Sequence, residues 1–286
     1  MTSLPYPIVE AGWLKAHLGK AGLKLVDASW RMPGQGEAYA DYLERHIPGA
    51  VFFPIDDIAD KSTDLPHMLP RAEEFSRSAG ALGISERDRI VVYDDRGIFS
   101  SARGWWTFKA MGHVEVSVLN GGLPAWTQSG GPLTQTAAPI AGATYRAAPD
   151  MGRVATHEDV RTILQTGAAV VLDARPEGRF IGRDPEPRPG LRKGAMPGAR
   201  NAPFADFIAE DGRLKSKDQL AQIFASRDVG PSTAVTTTCG SGVTAAIVAL
   251  ALEALGWPPA RLYDGAWAEW GKESNDPRRF PATVGV

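Results

Sequence analysis

One cysteine stands in the 286-residue chain, Cys239, heading the run Cys239-Gly240-Ser241-Gly242-Val243-Thr244. With no second thiol, neither an intrachain disulfide nor a thiolate metal cluster can form, so any sulfur chemistry must pass through this atom. A solitary cysteine is more often a small buried hydrophobe than a nucleophile. Its neighbours favour the chemical role. Residues 234–238, Ala234-Val235-Thr236-Thr237-Thr238, read as a buried strand, and 244–255, stopped by Gly256, read as a helix. The sulfur therefore sits where a strand turns into a helix, and there the free backbone N–H groups and the positive end of the helix dipole stabilise an anion. Gly240 and Gly242 let the loop curl its amides inward, a cradle suited to a thiolate or to a persulfide anion one atom longer.

The same layout describes the phosphate loop of cysteine-dependent phosphatases, which carry an arginine six positions after the cysteine to grip the phosphoryl group. Ala245 occupies that position here. Without the bidentate cation, phosphoryl chemistry loses its main stabilising partner and sulfur transfer is favoured.

The elements that must hold this loop are read from the rest of the chain. At this length two cores are expected rather than one. Hydrophobic residues are 43% and charged residues 22%, an ordinary globular balance. A formal net charge of −2 gives no overall field towards nucleic acid or an anionic membrane. The longest apolar run, 245–252, is far short of the roughly 18 residues of a membrane span, and the first dozen residues lack a basic start followed by an apolar core. With a single cysteine, these features lead us to expect a cytoplasmic protein with no membrane or nucleic-acid partner.

The chain repeats itself. Leu25-Val26-Asp27-Ala28-Ser29 is answered by Val171-Leu172-Asp173-Ala174-Arg175, and Ile47-Pro48-Gly49-Ala50 by Met196-Pro197-Gly198-Ala199. Val91-Val92-Tyr93-Asp94 answers the strand ending at Cys239, and Asn120-Gly121-Gly122-Leu123-Pro124-Ala125-Trp126 answers Asp264-Gly265-Ala266-Trp267-Ala268-Glu269-Trp270. Between the copies, 131–149 is rich in Pro, Ala, Thr and Gly without apolar periodicity and reads as an extended linker. We expect one domain over 1–139, a connection over 140–155 and a second domain over 156–286. β-prone runs at 23–27, 90–93, 170–173 and 234–238 alternate with helical patterns such as 72–82 and 217–226. This alternation predicts α/β domains, each with a mostly parallel central sheet flanked by helices.

The two-copy layout and the run from Cys239 to Ala245 resemble the tandem rhodanese-type sulfurtransferases, and within them the branch that takes sulfur from 3-mercaptopyruvate. The resemblance covers nearly the whole chain. It implies two rhodanese-like domains, the first of them non-catalytic because Asp94 stands where the second has its cysteine. It also implies that the amides of Gly240, Ser241, Gly242, Val243 and Thr244 stabilise a persulfide on Cys239. Arg179 and Arg188 match arginines that hold the donor's carboxylate and keto group in that family, a task that suits a planar guanidinium fork. From spacing alone they could equally be surface arginines balanced by Asp184 and Glu186. Thiosulfate-using relatives resemble this chain at Arg179 but generally lack the second arginine, and they carry basic residues after the cysteine where Gly240 and Ser241 stand here.

Asp56 and His67 match positions proposed to form a relay with Ser241, the histidine tuning the serine's proton and the aspartate orienting the ring. Their plainer alternatives are a turn cap for Asp56 and a buried loop histidine for His67. The resemblance implies no cofactor and no metal, and His17, His113 and His157 are scattered without ligand spacing. It implies a thiol, thioredoxin or cyanide as sulfur acceptor. Thiosulfate as donor, a persulfide carrier without turnover and a redox sensor remain as alternatives at this stage. Trp105, Trp106, Trp126, Trp267 and Trp270 are read as core aromatics, not as a stacking platform. His46 has Ala195 at its place in the second copy and is assigned to the turn.

Overall fold

The computed structural model describes residues 4–32 and 34–285, which divide into two compact units. The first holds residues up to Lys61, Leu69–Asp150 and Ile208–Leu214; the second holds Ser62–Met68, Met151–Phe207 and Lys215 onward. Each unit thus includes a short segment from the other half of the sequence.

In the first unit the strands are β1 (Ile8–Val9), β2 (Leu23–Asp27), β3 (Ala50–Phe52), β4 (Arg89–Tyr93) and β5 (Val116–Leu119). They form one sheet of order β1-β5-β4-β2-β3 in which every adjacent pair is parallel. The helices are α1 (Ala11–His17), α2 (Ala38–Glu44), α3 (Ala72–Ala81), α4 (Ser101–Ala110) and α5 (Gly122–Gln128). β4 is buried at every position, as expected of a strand covered on both faces, and so carries the continuous apolar run Ile90-Val91-Val92-Tyr93 instead of an alternation.

The second unit repeats the plan with β6 (Val154–Ala155), β7 (Val170–Asp173), β8 (Arg200–Asn201), β9 (Val235–Thr238) and β10 (Arg261–Tyr263) in the order β6-β10-β9-β7-β8, again parallel throughout. Its helices are α6 (His157–Thr166), α7 (Glu177–Phe180), α8 (Lys217–Ala225), α9 (Ala245–Ala254) and α10 (Ala266–Trp270). α6 and α8 both begin with capping boxes, from Thr156 to Asp159 and from Ser216 to Gln219. Helix α9, Ala-Ala-Ile-Val-Ala-Leu-Ala-Leu-Glu-Ala, buries all but its last residue, which its lack of a polar face anticipates. Trp105, Trp106, Trp126, Trp267 and Trp270 are all at or below 1% exposure, so they are core residues.

Residues 135–150 contain neither helix nor strand, but they are packed. Ala143 N–H donates to Gly80 O, Ala148 N–H to Met111 O and Asp150 N–H to Ala110 O, and Tyr145 is buried. The extended stretch therefore lies along the first unit as a strap, an arrangement its composition did not disclose.

The repeat also places two aspartates equivalently, Asp27 ending β2 and Asp173 ending β7. Asp173 is met by the guanidinium of Arg175, whereas Asp27 has only Ser29 at the matching place, whose N–H donates to it at 2.9 Å. Burial pushes the Asp27 carboxyl up from 3.8 to about 6, against the hydrogen bonds from Ser29. The folded chain therefore keeps this proton at pH values where the unfolded chain has lost it, so stability falls as pH rises from 3.8 to about 6 and stays lower above. Asp27→Asn removes that cost, on the order of 3 kcal/mol at neutral pH. The expected result is a higher urea midpoint at pH 7 with a flatter profile below it, and an equal or lower midpoint at pH 7 would contradict the assignment.

Candidate active site

β9 lies inside its sheet between β10 and β7, so the chain leaving its carboxyl end is surrounded by structure on both sides. In open parallel sheets this is where ligands bind. Cys239 is the first residue beyond β9 and only 2% exposed. The loop then turns back through Gly242, whose φ of 82° lies in the left-handed region that favours glycine. That turn aims the Gly242 N–H at Cys239 Sγ, 3.1 Å away. Ser241 and Val243 are buried and Thr244 half-buried, and α9 begins immediately after.

The loop is braced from behind. Trp267 N–H donates to Cys239 O and Ala268 N–H to Gly240 O, both at 2.9 Å, so α10 holds the outer backbone of the loop. Ala266, which opens α10, adopts a φ of 51°, a left-handed conformation costly for a residue with a Cβ. The repeat had Gly122 here in the first copy, with the same backbone sign at 53°.

Gly240 serves a different purpose from Gly242. Its φ is not in the left-handed region, but a Cβ on it would stand 2.7 Å from Arg179 Nη2. The absent side chain makes room for the guanidinium. Arg179 extends from the one-turn helix α7 and is gripped on its other side by Glu186, which accepts from Nε at 3.1 Å and from Nη2. Glu186 Oε1 also accepts from Arg175 Nη1 at 2.8 Å. Arg175 is fully buried, paired with Asp173 and stacked 4.2 Å over the Trp267 ring. Asp173, Arg175, Glu186 and Arg179 thus form a continuous chain of alternating charge reaching the cysteine loop. In the sequence Glu186 stands out only as a local counter-charge and Arg175 only as a position of the repeat. The available signal was the change of Ser29 to Arg175 between the two copies.

Arg188 lies in the same unit beside a cleft of about 320 Å³, lined also by Asp64, Leu65, Pro66, Gly190 and Lys272. Its Nη2 is 3.4 Å from His67 Nε2. His67, expected from its sequence position to belong to the first domain, is buried in the second unit, with a φ of 60°. Asp56 belongs to the first unit, where its carboxylate accepts from Trp30 Nε1 at 2.8 Å. Cys239, Gly240 and Arg179 are therefore brought together, as are Arg188 and His67, while Asp56 lies against Trp30.

The first unit shows what the same loop does without a cysteine. Asp94 follows β4 as Cys239 follows β9, and its carboxylate accepts from the N–H groups of Arg96, Phe99 and Ser101 at 2.9, 2.8 and 2.8 Å. Burial pushes this carboxyl up while those donors pull it down. The loop amides of this copy are spent on its own side chain.

In Cys239's loop, by contrast, an amide faces a sulfur. Gly242→Ala should cost about 1 kcal/mol by forcing a Cβ into the left-handed region and should turn the N–H away from Sγ. The expected result is slower alkylation of Cys239 by iodoacetamide at neutral pH, read by intact mass. An unchanged rate would mean that this amide does not support the thiolate.

A rhodanese-like domain model matches residues 10–129 and again 156–273. The chain is 42% identical over 270 residues to human 3-mercaptopyruvate sulfurtransferase, covering 92% of this chain and 91% of that one. It is 41% identical over 269 residues to the thiosulfate sulfurtransferase of Gallus gallus, covering 92% of each. Among solved structures, SseA from Escherichia coli, described with the rhodanese fold, superposes with a TM-score of 0.84 at 38% identity, covering 93% of this chain and 99% of that one.

Proposed function

The chain belongs to the rhodanese-like domain family, and from that membership we propose a sulfurtransferase that moves sulfur from 3-mercaptopyruvate through a Cys239 persulfide to a thiol, thioredoxin or cyanide. The observation carrying this reading is the nucleophile's setting. Cys239 stands in an uncharged loop with a backbone amide on its sulfur and a guanidinium packed against the next residue. Similarity supports this donor, since relatives named 3-mercaptopyruvate sulfurtransferase match at 42% and 41% identity, with a thiosulfate-named relative at 41%. The choice rests on Gly240 and Ser241, which add no positive charge for a small dianion, and on Arg188 as a second fork for a carboxylate.

In the proposed reaction the Cys239 thiolate attacks the donor's thiol sulfur, forming an S–S bond as the C–S bond breaks. The electron pair of that bond leaves on the enolate of pyruvate, which takes up a proton. Arg179 and Arg188 hold the carboxylate end, so the sulfur is presented to Cys239 without loss of orientation. The amides from Gly240 to Thr244 then meet the charge of the persulfide. We assign Ser241 to the donor's proton or carbonyl, with His67 and Asp56 as its relay. With no second thiol in the chain, an external acceptor must take the outer sulfur, and the route needs neither metal nor organic cofactor. The first domain, whose cradle is filled by Asp94, is non-catalytic in this reading. A cytoplasmic location belongs to the same proposal; among the described residues no helix is long and apolar enough to cross a membrane.

Brief exposure to 3-mercaptopyruvate should add one sulfur atom to the intact mass and release pyruvate, and Cys239→Ser should do neither. Arg188→Ala should raise KM for 3-mercaptopyruvate on the order of 10-fold to 100-fold, the worth of a hydrogen bond to a charged group. Loading by thiosulfate alone would overturn the donor assignment, and loading by neither would favour a carrier that receives sulfur from a protein.

A further inference from the structure

Arg179 can help a donor only if its guanidinium is held in place, because a long arginine side chain left to itself samples many rotamers. Its surroundings hold it on two sides. One is the bare Cα of Gly240, against which Nη2 packs. The other is Glu186, whose Oε2 takes both Nε and Nη2. Glu186 is itself only 2% exposed at its side chain, against 21% for Arg179. Its other oxygen is tied to Arg175 at 2.8 Å.

Arg175 cannot drift either. Asp173 takes its Nε and Nη2, Gly194 O takes Nη2 at 2.8 Å, and its guanidinium lies over Trp267. Trp267 in turn donates its backbone N–H to Cys239 O. The network therefore begins and ends on the nucleophile's own loop. With Nε and one Nη2 hydrogen given to Glu186, Arg179 keeps Nη1 and the remaining Nη2 hydrogen for another acceptor. In the first unit, where Asp94 replaces the cysteine, Ser29 replaces Arg175 and this arrangement has no starting point.

We propose that Glu186 is a positioning residue for sulfur loading: bridging Arg175 and Arg179, it fixes which edge of the Arg179 guanidinium faces the donor's carboxylate. The proposal rests on the donor reading above and deepens it. Of the two arginines that Glu186 holds, Arg179 is the one with donors left for a ligand, so the influence of Glu186 belongs to the step in which a carboxylate donor is bound. Discharge of the persulfide to a neutral thiol carries no carboxylate and does not use it.

The two steps can be timed separately. Wild type, Glu186→Gln and Glu186→Asp would be loaded with 3-mercaptopyruvate while pyruvate and intact mass are followed. Each would then be loaded to completion by longer incubation, freed of donor and discharged with 2-mercaptoethanol. Glutamine keeps the shape but withdraws the charge that pairs both arginines. Aspartate keeps the charge but, one methylene shorter, cannot span them, so the pair remains informative if one variant fails to fold. In each folded variant we expect KM for loading to rise on the order of 10-fold, with discharge within about twofold of wild type. Loading unchanged in a folded variant, or loading and discharge reduced by the same factor, would overturn the positioning role. Pyruvate release by wild type is the control: its absence removes the donor reading, whereas its presence with unaltered variants removes only the role of Glu186.

Discussion

A sulfur anion below the surface needs its charge met by groups that are already in place, because water cannot rearrange around it. In the reaction we propose, that requirement falls on a six-residue loop between β9 and α9. Cys239 is nearly inaccessible, and the amide of Gly242 is the group that faces its sulfur. The amide can point inward only because residue 242 adopts a left-handed conformation. The loop keeps that shape because α10 binds its carbonyls from behind. The parallel sheet matters to the site chiefly as the support that fixes both ends of this loop.

The same reasoning explains how two similar domains can differ in what they can do. Both sheets have one strand order, and both present a loop at the end of the strand in the matching place. In the first, a carboxylate collects three backbone amides and the cradle is complete within itself. In the second, a thiol takes that place, and Arg175 stands where the first has Ser29. That one residue anchors the charged chain through Glu186 to Arg179, whereas Asp27 in the first domain is buried with the neutral partners Ser29 and Tyr93 and no guanidinium at the matching place. The two domains share a scaffold and differ at a few positions at the strand ends.

Charge is handled inside the second unit by pairing. Asp173, Arg175, Glu186 and Arg179 alternate in sign, and three of the four are almost wholly excluded from solvent. Buried ion pairs contribute little net stability, since desolvation offsets most of the attraction, but breaking one is costly. Such a network is better understood as fixing orientation than as holding the fold together.

The two-fold repeat, the α/β class, the strand-loop-helix around Cys239 and the identity of its single thiol are legible in the residues alone. These are local or periodic properties: apolar runs mark strands covered on both faces, and glycines mark turns that need their freedom. The sequence also singled out Arg179, Arg188, Asp56 and His67, through resemblance. With whom each keeps company is settled by the fold. His67 lies with Arg188 in the second unit although its number places it in the first half, Gly240 is small because Arg179 lies on it, and Glu186 joins two arginines seven and eleven residues back. Residues 135–150, open in composition, are packed through backbone hydrogen bonds that leave no trace in side-chain pattern. Sequence records the period and chemistry of each segment, whereas partnership between segments depends on distances that close only when the chain has folded.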